Sequence, residues 1–489
     1  MPRVAVIGAG ISGVNTAGHL LKEGLDVTVF EKSSVIGGVW AYDAALPLEP
    51  AYPSAKPSVA HGVFHSVPKD TDPHTLFTSP GPCYESLRNN VPTELMQSSL
   101  NTWPEGTPSF ATHNVLAAYI QDTANKTGVA DHTLLNTKVV SVAKTDRVWD
   151  VTTATWDAET KTESTRAWQF DAVVIASGHY HVPKVPAIPG LAEWKAAYPD
   201  RVQHSKAYRN ARGFEGQTVL LIGGSASSTD IAVELGDAAS KIWQSTRNGA
   251  FDHPPSMLPD NGERITEVAS FGAIRVDSPH AGTEADAESL EGHIPASITL
   301  KDGRVIDGID RVIVATGYQF SFPYLPSYMH RDDLDPQEAD DTVLVTGDGQ
   351  QLHNLWEDIF YVPDPTLAFV GVPFYTATFS LFEFQAIAVA AYLAGHTGAL
   401  PSPDEMRASL KQRLEEKGYG KLFHSLWGQD TEYAARLMAW VNAGNAGSAE
   451  ASRKYVDGYS DAWIAKKAYF ADLKNKKNIL HEDNHPGGK

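Results

Sequence analysis

Short runs of consecutive apolar residues recur along the chain, each stopping at small residues. Arg3-Val4-Ala5-Val6-Ile7 stops at Gly8, Gly10 and Gly13, spaced G-x-G-x-x-G. The pattern then turns helical through Ala17, Leu20 and Leu21, and a second run, Asp26-Val27-Thr28-Val29-Phe30, ends at Glu31. Strands apolar at every position are buried on both faces, as in parallel sheets, so Pro2 to Glu31 reads as a strand-helix-strand unit. Thr218 to Ile222 repeats the design: Gly223-Gly224-Ser225-Ala226-Ser227-Ser228 follows, then a helix from Thr229 to Leu235 and a strand from Lys241 to Ser245 ending at Thr246-Arg247. Two more buried strands, Phe170 to Gly178 and Asp310 to Tyr318, end in Ala-Ser-Gly and Ala-Thr-Gly and bracket this second unit. His179, Pro183, Pro186, Pro189 and Gly190 punctuate the crossing between them.

The remaining pattern is coarser. Helical spacing covers Phe110 to Thr127, strands are predicted within Thr133 to Val151 and Phe360 to Gly371, and a helix over Phe382 to Leu393. Beyond Pro401 the chain reads as helices over Asp404 to Glu416, Glu432 to Asn442 and Ser460 to Leu473. Residues 41 to 80 are rich in Pro, Ser and His without periodicity and read as a long loop or excursion; Asp277 to Glu291 reads as a solvated acidic stretch, and Lys474 to Lys489 as a disordered tail. The expected fold class is α/β, with two Rossmann-like dinucleotide-binding domains and a C-terminal helical extension. The first domain takes residues 1–178 and 319–489, and the second, residues 179–318, is inserted into it.

The glycines carry chemistry as well as shape. Gly8 makes the tight turn, Gly10 lets backbone approach a pyrophosphate, and Gly13 lets helix and strand pack closely, with the helix N-terminus facing the phosphates. Glu31 stands about 20 residues on, where a carboxylate accepts from ribose hydroxyls. A merely structural Gly-rich turn is the alternative. In the second unit Ser225 and Ser228 replace glycines, but the small residues Ser225, Ser227 and Ser228 still permit a tight turn, and their hydroxyls can donate to phosphate. Arg247 puts a cation where the first unit has Glu31, the difference expected between a ribose with free hydroxyls and one carrying a 2′-phosphate. These features predict FAD in the first unit and NADPH in the second. Gly37-Gly38-Val39-Trp40 then reads as a loop over the flavin, or as a surface loop with one packing tryptophan.

Composition narrows the functions. A chain of 489 residues with 42% hydrophobic content has room for two or three domains. A net charge of −19 argues against nucleic acid and anionic membrane as partners. Cys83, the one cysteine, excludes an internal disulfide, suits a reducing compartment and reads as a buried small hydrophobe. His61, His65, His113, His179, His181 and His204 lack metal-ligand spacing, so no metal site is predicted. The opening strand leaves no room for a signal peptide, and Phe379 to Leu393, interrupted by Glu383 and Gln385, is too short to span a bilayer; a cytoplasmic location is expected.

Several separate motifs over residues 2 to 395 together resemble the flavin-containing monooxygenases, closest to the soluble fungal and bacterial type. They are the first glycine fingerprint, Gly37-Gly38-Val39-Trp40, Ser86-Leu87-Arg88-Asn89-Asn90-Val91-Pro92, the second fingerprint and Ala315-Thr316-Gly317-Tyr318. The family's F-x-G-x-x-x-H-x-x-x-(Y/F) stretch falls on Tyr198, Asp200, His204 and Tyr208, with Tyr and Asp where the family has Phe and Gly. The resemblance implies NADPH reduction of FAD, a flavin hydroperoxide shielded by retained NADP⁺, and oxygen transfer to a soft nucleophile. It makes Asn90 the catalytic residue, donating its amide beside the flavin, with a turn asparagine as the alternative. It adds Gly38, Trp40, His204, Tyr208, Gly223, Thr316, Gly317 and Glu383, in the helix facing the flavin, to the cofactor-binding residues. The partners implied are a small-molecule substrate and molecular oxygen, with a homodimer left open. Tyr208-Arg209, unlike the Trp-Pro or Trp-Asp end of the Baeyer–Villiger enzymes, favours sulfur or nitrogen over ketone oxygenation. A disulfide reductase would need a second cysteine; a non-catalytic nucleotide sensor finds support only in the altered second glycine pattern.

Overall fold

The computed structural model of the protein describes residues 1–62, 64–275, 292–444 and 455–476; the His61 side chain, the acidic stretch 277–291 and the tail beyond Lys476 lie outside them. The chain divides into two compact units. One comprises Met1–Asp43, Thr71–His181 and Gln319 to Lys476, the other Ala44–Asp70 and Val182–Tyr318.

The first unit opens with β1 (Arg3–Ile7), α1 (Ile11–Lys22) and β2 (Asp26–Phe30), continues through α2 (His113–Lys126), β3 (Thr133–Leu134) and a β4–β5–β6 meander (Thr137–Thr145, Val148–Asp157, Thr162–Phe170), and reaches β7 (Ala172–Ile175). β6 escapes the hydrophobic pattern because its residues from Thr162 to Ala167 are exposed. The second unit contributes β8 (Val202–His204), β9 (Thr218–Ile222), α3 (Ala226–Leu235), β10 (Lys241–Ser245), β11 (Gly262–Ile265) and β12 (Arg311–Val314). The chain then returns to the first unit with β13 (Leu355–Trp356), β14 (Phe360–Tyr361), β15 (Leu367–Phe369), α4 (Thr378–Leu393) and the helices α5 (Pro403–Lys417), α6 (Asp430–Ala443) and α7 (Asp461–Lys476).

The first sheet runs β13-β14-β15-β7-β1-β2-β3 and the second β11-β10-β9-β12-β8. β1 pairs in parallel with β2 and β7, with Ile7 opposite both Phe30 and Ile175, so Gly8, Glu31 and Ala176 emerge side by side at one edge. In the second sheet Ile222 lies opposite Ser245 and Val314, bringing Gly223, Thr246 and Ala315 level. The apolar runs are buried on both faces: Val4, Val6, Val27 and Val29 pack into one core, Ala5, Ile7 and Phe30 into another. α4 starts one turn before the predicted Phe382 and is buried almost all round, as a helix apolar on every face must be.

Residues 44–70 pack within the second unit. Tyr52 joins its core. Ser54 and Val185 exchange backbone bonds of 3.0 and 3.3 Å.

Candidate active site

At the carboxyl edge of the first sheet the glycine loop is built by exclusion. Gly8 sits at φ +106°, and a Cβ there would lie 2.7 Å from the Ala176 carbonyl oxygen. A Cβ on Gly13 would lie 1.8 Å from the Gly8 oxygen, so only glycine lets α1 start this close to β1. At Gly10 the limiting neighbour is Gly38: a Cβ added to Gly38, at φ +59°, would fall 2.8 Å from the Gly10 Cα. The Gly37 N–H donates to the Ala9 carbonyl at 3.1 Å, tying the Gly37 to Trp40 loop onto the glycine loop. The two loops together form a cradle of bare backbone with no room for a side chain between them.

Glu31 is buried, and its carboxylate accepts from the Ala9 N–H at 2.7 Å and the Ser33 N–H at 2.8 Å. It braces the loop while each oxygen keeps a further lone pair. Beside it the Lys32 ammonium lies 3.4 Å from His181 Nδ1; burial lowers its pKa and the Glu31 charge works the other way. Lys32 gave no sequence signal beyond its place next to Glu31.

The two adjacent asparagines separate cleanly. Asn89 is buried: its amide donates to the Val91 and Ser109 carbonyls at 2.6 and 2.8 Å and accepts from the Ala111 N–H at 2.5 Å. The turn role belongs to Asn89, and Asn90 stands exposed next to it. The loop is held at the start of α2, where the His113 N–H donates to the Leu87 carbonyl at 2.8 Å. α2 in turn packs on the Gly37 to Trp40 loop, with Ala117 3.6 Å from the position of a Gly37 Cβ.

Glu383, in contrast, is fully engaged. His19 Nε2 lies 3.0 Å from its Oε1, and the Ser99 N–H and hydroxyl donate to it. Burial raises its pKa, but His19 and Ser99 outweigh burial and hold it below the ordinary carboxylate range. It fastens α4 to α1 and to the Ser98–Ser99 turn. Trp40 sets its ring edge-on to Phe379, 6.4 Å away.

In the second unit Gly223 has φ +123°, and a Cβ there would lie 2.4 Å from the Ala315 oxygen. Ser225 caps α3 without a side-chain capping bond, and Ser227 is exposed. Ser228 differs: it is buried and its hydroxyl accepts from Gln244 Nε2 at 2.9 Å. Arg247 is exposed and makes no hydrogen bond or ion pair among the described residues. Thr316 donates its hydroxyl to the Lys184 carbonyl, and Gly317, at φ +81°, accepts from the Lys184 N–H at 2.9 Å, so both close the end of β12.

His204 lies wholly inside this unit. Its Nδ1 accepts from the Lys206 N–H at 3.1 Å, which puts the proton on Nε2, and its ring packs edge-on against Tyr318 at 5.4 Å. Burial, then Lys206, lower its pKa to about 3, so it is a neutral structural ring at physiological pH. The His204 N–H points to Glu49, whose carboxylate also accepts from the Tyr52 hydroxyl at 2.8 Å and pairs with Lys195 at 3.5 Å. Tyr208 is buried, and burial followed by the Glu234 charge raises its pKa. Asp200 has a negative φ, so the glycine usual there is not demanded by backbone. Among the described residues no His, Cys, Asp and Glu side chains group to hold a metal.

Residues 79–254 match the family model for flavin-binding monooxygenase-like proteins, and residues 3–56 that for FAD dependent oxidoreductases. The chain is 42% identical over 487 residues to the flavin-containing monooxygenase ustF2 of Aspergillus flavus, covering 95% of this chain and 96% of that one. It is 30% identical over 399 residues to the thiol-specific monooxygenase of Saccharomyces cerevisiae, covering 78% and 75%. The solved S-allyl-L-cysteine S-oxygenase of Allium sativum shares the fold, with a TM-score of 0.69 at 23% identity over 99% of this chain and 95% of that one. Two Rossmann-type units, the first with a bare-backbone cradle closed by an acid, define a two-nucleotide flavoprotein oxidoreductase. The chain belongs to the flavin-containing monooxygenase family, which uses FAD and NADPH. Among the described residues no helix is long and apolar enough to cross a membrane.

Proposed function

We propose that the protein inserts one oxygen atom into a soft sulfur or nitrogen nucleophile of a small molecule, with FAD in the first unit and NADPH in the second. For a sulfide the balance is R–S–R′ + O₂ + NADPH + H⁺ → R–S(O)–R′ + H₂O + NADP⁺. Bound FAD supplies the hydride acceptor and the activation of oxygen. The protein's residues supply position and shelter: the Gly8, Gly10 and Gly38 cradle holds the pyrophosphate, Glu31 the ribose, and Ser225, Ser227 and Arg247 the phosphates of the nucleotide that exchanges. Its single cysteine suits the reducing cytosol, to which we assign its action.

The observation that carries the reading is the division of labour at Asn89 and Asn90. Asn89 satisfies the turn, so the exposed Asn90 amide is available as a preorganised donor toward the reacting oxygen. Arg209 supports a soft nucleophile over a ketone: its guanidinium is buried and bonds the Lys206, Tyr208 and Ala45 carbonyls, which takes it out of service as a cation for a developing oxyanion. The yeast relative, named thiol-specific, agrees with sulfur as the acceptor.

Asn90→Leu tests the assignment. Flavin reduction by NADPH should stay near the wild-type rate while product per NADPH falls roughly tenfold, less than the 10²–10³ lost when a donor to full oxyanion charge is removed. Hydrogen peroxide should account for the difference. Unchanged product per NADPH would take Asn90 out of the active site, and product from cyclohexanone but from no sulfide or amine would overturn the heteroatom reading.

A further inference from the structure

Beyond the carboxyl ends of β7 and β15, where open α/β sheets hold their ligands, the first unit carries a cation beside a group of aromatic rings. The chain leaves β15 at Gly371, where an added Cβ would stand 2.5 Å from the Ser12 hydroxyl beside the glycine loop, and continues as Val372-Pro373-Phe374-Tyr375. The segment Lys421 to Trp427 docks on it through backbone. The Leu426 N–H donates to the Phe374 carbonyl at 3.0 Å and the Phe374 N–H to that of His424 at 3.3 Å.

His424 fixes the docking. Its Nε2 accepts from the Leu352 N–H at 2.9 Å, so its proton lies on Nδ1, 2.9 Å from Asp358 Oδ1, and Arg413 grips the same carboxylate with bonds of 2.9 and 2.7 Å. Of these residues only Arg413 has more than trace exposure.

The rigid segment displays rings and a charge to solvent. Trp427 is 73% exposed and stands edge-on to Tyr375 at 5.2 Å; Tyr180, just past β7, is 44% exposed. Tyr375 sits at φ +57°, a conformation that bulky residues adopt only when the surroundings impose it. The Lys421 ammonium lies 5.1 Å from the Phe374 ring centroid. Its side chain is exposed, and partial burial of the ammonium lowers its pKa. His179, whose pKa burial and then Lys421 push down to about 4, is neutral there, as is His424, lowered first by burial.

From Lys421 beside the aromatic wall of Phe374, Tyr375 and Trp427, we infer a substrate site that takes a small organic anion, the carboxylate on the ammonium and the apolar, oxidisable end along the rings. This rests on the reading of the protein as a heteroatom oxygenase and names its substrate class. Aromatic faces hold thioether and alkyl groups well, and in a chain of net charge −19 an anion reaches the flavin only where a local cation receives it.

The probes are 3-(methylthio)propanoate and its uncharged amide, with flavin-loaded wild type, Lys421→Met and Lys421→Arg. Calorimetric titration measures binding without turnover, and sulfoxide formation measures turnover. The wild type should bind the carboxylate about tenfold more tightly than the amide, Lys421→Met should lose that preference, and Lys421→Arg should keep it. KM should follow binding while the rate at saturation changes little. Carboxylate and amide bound equally by the wild type, or a preference intact in Lys421→Met, would overturn the anion site. A Lys421-dependent preference without any sulfoxide would support the site and sink the oxygenase reading instead.

Discussion

The two nucleotide units use one scaffold and treat their decisive charge in opposite ways. In the first, Glu31 is buried and bonded back onto the glycine loop through Ala9. In the second, Arg247 at the matching strand end is exposed and bonded to nothing described. Their helices differ too. Gly13 leaves α1 no room for a Cβ, whereas Ser228 in the matching position carries one and anchors it to Gln244, so α3 must stand farther from its turn than α1 does from its own. A site whose charge is already part of the fold is set before its ligand arrives; a site whose charge waits in water is completed by the ligand. This is the difference expected between a resident cofactor and one that exchanges each turnover.

The largest effect should come from giving the first turn the residue of the second. Gly13→Ser forces a Cβ into the Gly8 carbonyl and should yield protein without 450 nm absorbance and with a collapsed melting transition. The reciprocal Ser228→Gly should cost about 0.5 kcal/mol of helix propensity plus one hydrogen bond, and leave flavin content intact. Equal damage from the two would erase the distinction between the helices.

Glu31→Gln should fall between these. The amide cannot accept from both N–H groups with full charge, so a stability loss of about 1.5–3 kcal/mol is expected, with flavin retention on gel filtration falling in parallel. Loss of flavin at unchanged melting temperature would show that Glu31 serves the ribose and not the loop.

Arg247→Ala should leave the melting curve where it was, since the side chain holds nothing among the described residues. It should raise the NADPH KM by roughly tenfold or more and leave NADH use unchanged, the signature of a lost charge-assisted contact to a 2′-phosphate. Equal losses with both nucleotides would remove Arg247 from the phosphate site.

The strand-helix-strand units and the bracketing strands were legible because their information is local: contiguous apolar runs, glycine spacing and a terminal charge all fall within about 30 residues. Glu383 shows where legibility ends. Its partners His19 and Ser99 lie 364 and 284 positions away, and nothing in the apolar helix around it announces that both oxygens are spoken for. Asn89 and Asn90 read alike in sequence and were separated only by burial. Residues 44–70 lack periodicity because bridges such as Ser54 to Val185 and the Glu49–Lys195 pair hold them, not an amphipathic face.

Asp358 also bears on how far the enzyme can be shortened. With Glu357 it forms a turn at φ +57° and +53°, values that favour glycine or asparagine, and its buried carboxylate is balanced by Arg413 of α5 and His424 beyond it, while Arg436 of α6 takes Glu357. A gene truncated after α4 would keep both glycine fingerprints and strand an uncompensated negative charge inside the β13–β14 hairpin of the first sheet. The C-terminal helices are therefore not a detachable appendage, and a minimal oxygenase built on this scaffold must either carry them or redesign the Glu357–Asp358 corner as an uncharged turn.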